Sequence, residues 1–293
     1  MVNPGENVLI PCPEYPCYSA VLKKIGAEAN LYQLSEEQGW EPDIEDLARR
    51  VNSKTRALVV INPNNPTGAV YSRPTLTRIV DLAREHGLVL IADEIYDKLS
   101  LEEENPVPSL ASLDSEVQVV TLNGLSKSYL VPGWRVGWCI VSGEGDLLGP
   151  YIETMNKLLR ARLSAGHAEQ FAVPVALDGN QDHLPEVRRK LKSRRDLVLR
   201  WCEKIPGLRC VSPRAAFYAF PQLQLEGNDT DFTKNLLIET GVLLVPGSGF
   251  GQPPGTHHFR LVYLAEETIL DEAFHRIQAF VEQRYSGNAI QVD

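Results

Sequence analysis

Three short polar clusters follow apolar runs in this sequence: Asn62-Pro-Asn-Asn-Pro-Thr-Gly68, Asp93-Glu-Ile-Tyr96 and Asn123-Gly-Leu-Ser-Lys127. Each lies at or just beyond the carboxyl end of a stretch that reads as a buried strand, which is where ligands sit in an open parallel sheet. A lone carboxylate or amine between buried strands is costly unless it is paired or bound to something, so three clusters converging on one sheet edge amount to a site. Lys127 is either a snorkelling surface side chain or a reactive amine, and composition alone favours the surface. Two neighbours tilt the balance. Arg135 lies eight residues further on, inside Pro132-Gly-Trp-Arg-Val-Gly-Trp138, where glycines permit close backbone approach and a guanidinium suits a phosphate. Asp93 ends the adjacent candidate strand and can supply a fixed negative charge. An amine, a phosphate-binding guanidinium and a carboxylate match the needs of pyridoxal phosphate: a Schiff-base partner, a phosphate anchor and a partner for the pyridinium nitrogen.

These residues require a sheet to hold them. Asn7 to Ile10 is a short apolar run that Pro11-Cys-Pro13 breaks, and Tyr18 to Ile25 has helical spacing. Ala57 to Ile61, Leu88 to Ala92, Val117 to Leu122 and Val136 to Val141 read as buried strands, short and apolar throughout. Between the first two, Ser72 offers an N-cap near Pro74, Leu76, Ile79, Val80 and Ala83 form one stripe, and Gly87 ends the helix. Apolar strands joined by such a helix indicate an α/β sheet covered on both faces. Beyond about residue 145 the pattern changes to long helices (Leu147 to Phe171, Leu184 to Lys204), short strands (Leu208 to Val211, Phe217 to Pro221, Val242 to Val245, Phe259 to Tyr263) and a final helix from Glu266 to Arg284. This predicts a smaller α+β C-terminal domain, with the division at 1–165 and 166–293.

Composition narrows the field. At 293 residues with 43% hydrophobic content the chain can bury a real core, which excludes a disordered protein. A net charge of −9 argues against binding nucleic acid, and no apolar run approaches the roughly 20 residues that span a membrane. Five scattered cysteines show no zinc spacing, which predicts no metal and reduced thiols in a cytoplasmic protein. Met1 is followed by Val-Asn-Pro-Gly-Glu, with neither a basic nor an apolar segment, so no signal peptide is expected. His257-His258 has the look of a catalytic pair, but such a pair is more often a solvated strand end and is assigned nothing. Gly247-Ser-Gly-Phe-Gly251 lacks the spacing of a dinucleotide loop, and Pro253-Pro254 stand where its helix would start.

The motifs, taken in order, resemble the class I/II pyridoxal-phosphate aminotransferases of fold type I, and most closely the bacterial alanine aminotransferase branch. The matching stretches are Pro13-Glu-Tyr-Pro-Cys-Tyr18, Asn62 to Ala69, Ala92-Asp-Glu-Ile-Tyr-Asp97, Asn123 to Tyr129 with Pro132 to Trp138, Pro246 to Gly251, and Phe259-Arg-Leu261. The resemblance implies a three-layer αβα large domain with a mainly parallel sheet, a pyridoxal 5'-phosphate cofactor and a homodimer. It implies transfer of an amino group from an L-amino acid, alanine, to a 2-oxo acid, 2-oxoglutarate. Lys127 would form the internal aldimine and carry the proton transfer, Asp93 would hold the pyridine nitrogen protonated, and Asn65 and Tyr96 would bind the phenolic oxygen. Arg135, with Ser126 as a lesser candidate, would bind the phosphate, Tyr15 would stack on the ring, and Arg260 with Asn65 would hold the substrate carboxylate.

Plainer roles compete with several of these: a helix N-cap for Asp93, a core ring for Tyr15, a surface guanidinium for Arg260, a simple turn for Asn65-Pro66 and a structural hydroxyl for Ser126. The sequence also departs from the family. Gly124 stands where many members carry a hydroxyl that touches the phosphate, and Ala215 replaces the usual Gly of Pro213-Arg-Ala-Ala-Phe-Tyr218. The resemblance opens inside the large domain, so an N-terminally truncated chain with an incomplete sheet is expected, without the upstream phosphate cradle or the Tyr given by a neighbouring subunit. The competing expectations are a non-catalytic fragment or pseudoenzyme of the same fold and, less well supported, the sensor half of a fused transcription regulator.

Overall fold

A computed structural model of the chain describes residues 1–102, 107–144, 148–161, 163–164 and 166–285. Its first half holds β1 (Asn7–Cys12), α1 (Cys17–Lys24), β2 (Glu28–Ser35), β3 (Glu41–Pro42), α2 (Ile44–Arg50), β4 (Thr55–Ile61), α3 (Arg73–His86), β5 (Val89–Asp93), β6 (Val119–Gly124) and β7 (Gly137–Ser142). These strands form one seven-stranded sheet in the order β3-β2-β1-β4-β5-β6-β7. The five central strands are parallel, and β3 and β7 close the two edges antiparallel. From β1 the chain first moves outward to β2 and then returns to the other side of β1 as β4, so the strand order reverses beside β1.

The four apolar runs expected as strands became β4 to β7, shifted by one or two residues. β1 runs on through Pro11 to Cys12, because its ladder to β4 covers only Asn7 to Leu9 and Pro11 falls beyond it. β2 and α2 had no expectation attached to them: in β2 only Tyr32 and Leu34 are buried, among polar neighbours. α3 formed as expected. The Ser72 Oγ accepts from Thr75 N at 3.3 Å, Leu76, Ile79, Val80 and Ala83 are buried, and Gly87 closes the helix at φ +62°.

The second half holds α4 (Gly149–Ala161), α5 (His167–Gln170), α6 (Ala172–Asp178), α7 (His183–Lys204), β8 (Leu208–Arg209), β9 (Tyr218–Ala219), β10 (Gln222–Leu223), α8 (Asp229–Thr240), β11 (Val245–Pro246), β12 (Phe259–Val262) and α9 (Glu267–Tyr285). The single helix expected from Leu147 to Phe171 is broken: Leu163 takes a left-handed φ of 77° and Gly166 caps α5. Residues 147, 162 and 165 of that stretch lie outside the described residues. Beyond the buried Leu148 its apolar spacing faces no core, since α4 buries none of its described residues and Leu158, Leu159 and Phe171 are exposed. The expected short strands appear trimmed or shifted, in an antiparallel trio β11-β12-β9 and a β8–β10 pair.

α7, α8 and α9 enclose a core built on Trp201, Phe232, Phe259 and Phe274, which takes in Tyr96 and Leu99 from just beyond β5. A second core, between the sheet and α2–α3, takes in Phe220 and Phe250 from the C-terminal half. Among the described residues no helix is long and apolar enough to cross a membrane.

One member of the histidine pair departs from the expected solvated strand end, while His257 stays partly exposed. His258 is fully buried, its ring stacked on Phe220 at 4.8 Å, with Nε2 3.1 Å from Glu36 Oε2 and Nδ1 3.3 Å from Gln252 Oε1. It joins β12 to the turn after β2. His258→Ala leaves Glu36 without its partner and opens a cavity beside Phe220, so it is expected to cost on the order of 3 kcal/mol. Urea unfolding checks this: the midpoint falls while the m-value stays constant.

Candidate active site

Four strands end beside the point where the order reverses, and each runs into a segment that carries a nominated side chain. β1 leads to Tyr15, β4 to Asn65, β5 to Asp93 and Tyr96, and β6 to Ser126 and Lys127. All eight nominated residues, including Arg135 and Arg260, line one pocket of about 470 Å³. Tyr218, Ile61, Ile95, Leu122 and Asn123 complete the lining.

The loop after β4 is held by its own asparagines. Asn62 Oδ1 accepts from Tyr71 N at 2.9 Å, and Asn64 Oδ1 accepts from the Thr67 hydroxyl at 2.8 Å. Asn65, the next residue, lines the pocket. Gly68 sits at φ +71°, and its carbonyl accepts from Arg214 N at 2.8 Å and Ala215 N at 2.9 Å. This joins the loop to the segment that enters β9. A Cβ on Gly68 would meet Pro213 Cβ at 2.6 Å, so only glycine allows the contact.

Asp93 does not cap a regular helix. Its Oδ2 accepts from the Tyr18 hydroxyl at 2.9 Å and its Oδ1 from Ile95 N at 3.4 Å. Burial pushes the carboxyl above its ordinary range, against the opposing pull of Tyr18, Ile95 and Lys127. Lys127 is shifted the other way. Burial lowers its amine first, the Arg135 and Arg260 guanidiniums lower it further, and Asp93 alone opposes them. Its Nζ lies over the rings of Phe217 and Tyr96, 5.5 and 5.8 Å from their centroids.

Arg260 Nη1 donates to Asn65 Oδ1 at 3.0 Å, and the guanidinium carbon lies 4.7 Å from the ring centroids of both Tyr218 and Phe250. Its Nε is buried with no hydrogen-bond partner among the described residues. That is a poor description of a free surface arginine and a good one of a group held ready for an anion. Arg135 is exposed in a left-handed conformation at φ 57°, and its Nη1 donates to Pro132 O at 2.8 Å. Tyr15 is 42% exposed at the pocket mouth, its ring edge-on to Tyr18 at 6.4 Å.

The residues nominated from the sequence leave out two hydroxyls that the structure brings in, Tyr18 on Asp93 and Tyr218 on Tyr96. Neither carried a signal in the sequence: Tyr18 opens a run with helical spacing and Tyr218 lies inside an apolar strand, so both read as core. Gly124 has a physical reason for its missing side chain: it pairs with Gly137, and a Cβ there would meet Val136 O at 2.7 Å.

Comparison with known proteins agrees with this geometry. The description of aminotransferase class I and II matches residues 1–277. The chain belongs to the class I and II aminotransferases. It is 41% identical to an alanine aminotransferase of Mycobacterium tuberculosis over 96% of its own length and 66% of that protein, so it spans just under two thirds of that relative. It is 36% identical to the glutamate-pyruvate aminotransferase AlaA of Escherichia coli, covering 96% of this chain and 70% of the other. A solved alanine aminotransferase from Pyrococcus furiosus superposes with a TM-score of 0.93 at 39% identity, over 97% of this chain and 72% of that one. The seven-stranded, mostly parallel sheet is the fold type I sheet of this aminotransferase family.

The two guanidiniums near Lys127 give a pH signature. Labelling of Lys127 by an amine-specific reagent, read by peptide mass, should rise with pH through a midpoint below that of ordinary lysines. Arg135→Gln removes a nearby cation and should move the midpoint up. Asp93→Asn removes the opposing anion and should move it down.

Proposed function

We propose that this chain holds pyridoxal 5'-phosphate and moves an amino group between an L-amino acid, alanine, and a 2-oxo acid, 2-oxoglutarate. The observation that carries the reading is the single pocket at the strand-order reversal, where the Lys127 amine lies within electrostatic reach of Asp93, Arg135 and Arg260. The donor set fits the cofactor: a half-buried carboxylate for the pyridine nitrogen, a guanidinium at the β6–β7 turn for the phosphate, and a buried Arg260 Nε, without a partner among the described residues, for a carboxylate.

On this reading Tyr18 keeps the Asp93 carboxylate aimed at the ring nitrogen, and Tyr15 covers a ring face. Arg135 and Ser126 hold the phosphate, Asn65 and Tyr96 meet the phenolic oxygen, and Arg260 holds the substrate α-carboxylate with Asn65 beside it. When bound, the cofactor supplies an electron sink for the pair left as the substrate α-proton departs. Lys127 Nζ is the group that takes and returns that proton. A lowered pKa keeps more of the amine neutral, and so able to accept a proton, near neutrality. Alanine is favoured by the alanine and glutamate-pyruvate aminotransferases among the relatives.

A homodimer accords with the exposed apolar side chains of α4 to α6, Leu158, Leu159, Phe171 and Val175, which water would not leave bare without cost. The exposure of Tyr15 and Arg135 favours a second reading, a chain of this fold that binds the cofactor weakly.

Titration of the purified protein with pyridoxal phosphate separates the two. The expected result is an absorbance band that L-alanine alters, borohydride fixation of the cofactor on the Lys127 peptide, and sedimentation as two chains. Lys127→Ala should abolish the fixation. A band unaltered by Lys127→Ala, or none at all, supports the second reading.

A further inference from the structure

We infer that Tyr218 is a positioning residue that joins the two ends of the site, its ring supporting Arg260 and its hydroxyl governing where Tyr96 sends its proton. The inference rests on the reading of this pocket as a cofactor site.

Tyr218 opens β9, opposite Val262 of β12. It is buried, lines the pocket, and makes two contacts of different kinds. The Arg260 guanidinium lies 4.7 Å from its ring centroid, and its Oη is 3.0 Å from Tyr96 Oη, with the two rings edge-on at 84°. The backbone that sets this position is unusual. Ala216, two residues earlier, has φ 60°, and the Gly68 carbonyl holds the two amide groups before it.

Burial keeps both phenols protonated well beyond neutrality. Two hydroxyls in contact hold two protons, and only one can lie between them. Either Tyr96 donates to Tyr218, or Tyr218 donates to Tyr96 and the Tyr96 proton is free to point into the pocket. The exchange needs rotation about two C–O bonds and no movement of heavy atoms. An anionic oxygen arriving near Tyr96 selects the second arrangement, and the Tyr218 donation then strengthens the Tyr96 donation. With phenylalanine at 218 the ring still supports Arg260, but Tyr96 loses the group that takes its proton in one state and supports it in the other.

A core tyrosine that merely satisfies its own hydroxyl would have no such linkage, and a double-mutant comparison separates the two roles. Wild type, Tyr96→Phe, Tyr218→Phe and the double variant are loaded with pyridoxal phosphate, and the pH midpoint of the bound cofactor's absorbance change is measured. Loss of a donor to an anionic oxygen disfavours the anion, so Tyr96→Phe raises the midpoint. Tyr218→Phe is expected to raise it by less, about 0.3 pH unit or a twofold change in proton affinity, and to add nothing in the Tyr96→Phe background. A second readout is the affinity of the loaded protein for acetate, which Tyr218→Phe should leave unchanged and Tyr218→Leu should weaken about tenfold.

No midpoint shift in Tyr218→Phe, or an equal shift in both backgrounds, overturns the relay, and equal acetate affinity in Tyr218→Leu overturns the support of Arg260. Either result would leave the cofactor reading standing. Failure of the wild type itself to load overturns that reading and this inference together.

Discussion

One carbonyl ties the two walls of the pocket. Gly68 O, at the end of the loop after β4, takes both Arg214 N and Ala215 N, and its left-handed backbone brings the loop against Pro213, Ala215 and Tyr218 without room for a side chain. Everything that spans the site depends on this closeness. Arg260 reaches Asn65 across 195 residues of sequence, and Tyr218 reaches Tyr96 across 122. Arg214 reinforces the join with an ion pair to Glu102 beyond β5. The sheet alone supplies an amine and a carboxylate at its carboxyl edge. Only the docked C-terminal segment adds an anion clamp facing them.

The charges in the pocket show which physical effect wins at each position. Burial is the leading cause for both Asp93 and Lys127, and it pushes each toward neutrality. For Asp93 the hydrogen bonds from Tyr18 and Ile95 pull back toward the anion. For Lys127 two guanidiniums act with burial and a single carboxylate acts against it, so the amine stays depressed. The contrast is His258 with Glu36, where a buried imidazole and a carboxylate meet away from the pocket lining and serve to hold β12 under Arg260. Glu36 Oε1 and Arg260 Nε are both buried with no hydrogen-bond partner among the described residues, and what separates them is place: Arg260 lines the pocket and Glu36 does not.

The sheet was readable because Val, Ile, Leu and Ala dominate the middles of β4, β5 and β6, a pattern expected of strands buried on both faces. The pocket was readable because charge at the ends of such strands has no other cheap explanation. β2 escaped because polar residues interrupt both of its faces, Glu28 and Asn30 on one and Gln33 and Ser35 on the other, and the break between α4 and α5 escaped because apolar spacing continues through Leu163 although no core lies beneath it. Tyr18, Tyr218 and His258 share a different reason. Each is an amphipathic ring whose position looks like ordinary core or surface until its polar atom meets a partner 75, 122 or 222 residues away. Residue type and local spacing carry no trace of a contact at that range.

Depth divides the pocket into two kinds of recognition. At the bottom Asn65, Tyr96 and Tyr218 are buried, and with Asp93 and Arg260 they are fixed by hydrogen bonds or stacked rings, so a ligand meets groups whose orientation is already set. At the mouth Tyr15 and Arg135 are exposed, and Arg135 already spends one donor on Pro132 O. A contact there must compete with water and order a long side chain, which lowers its net worth. On the proposed function the ring and carboxylate ends of the bound molecules are therefore positioned by the described residues more firmly than the phosphate end. Gly124 sharpens the asymmetry: the close approach of Val136 O leaves no room for a side chain at position 124.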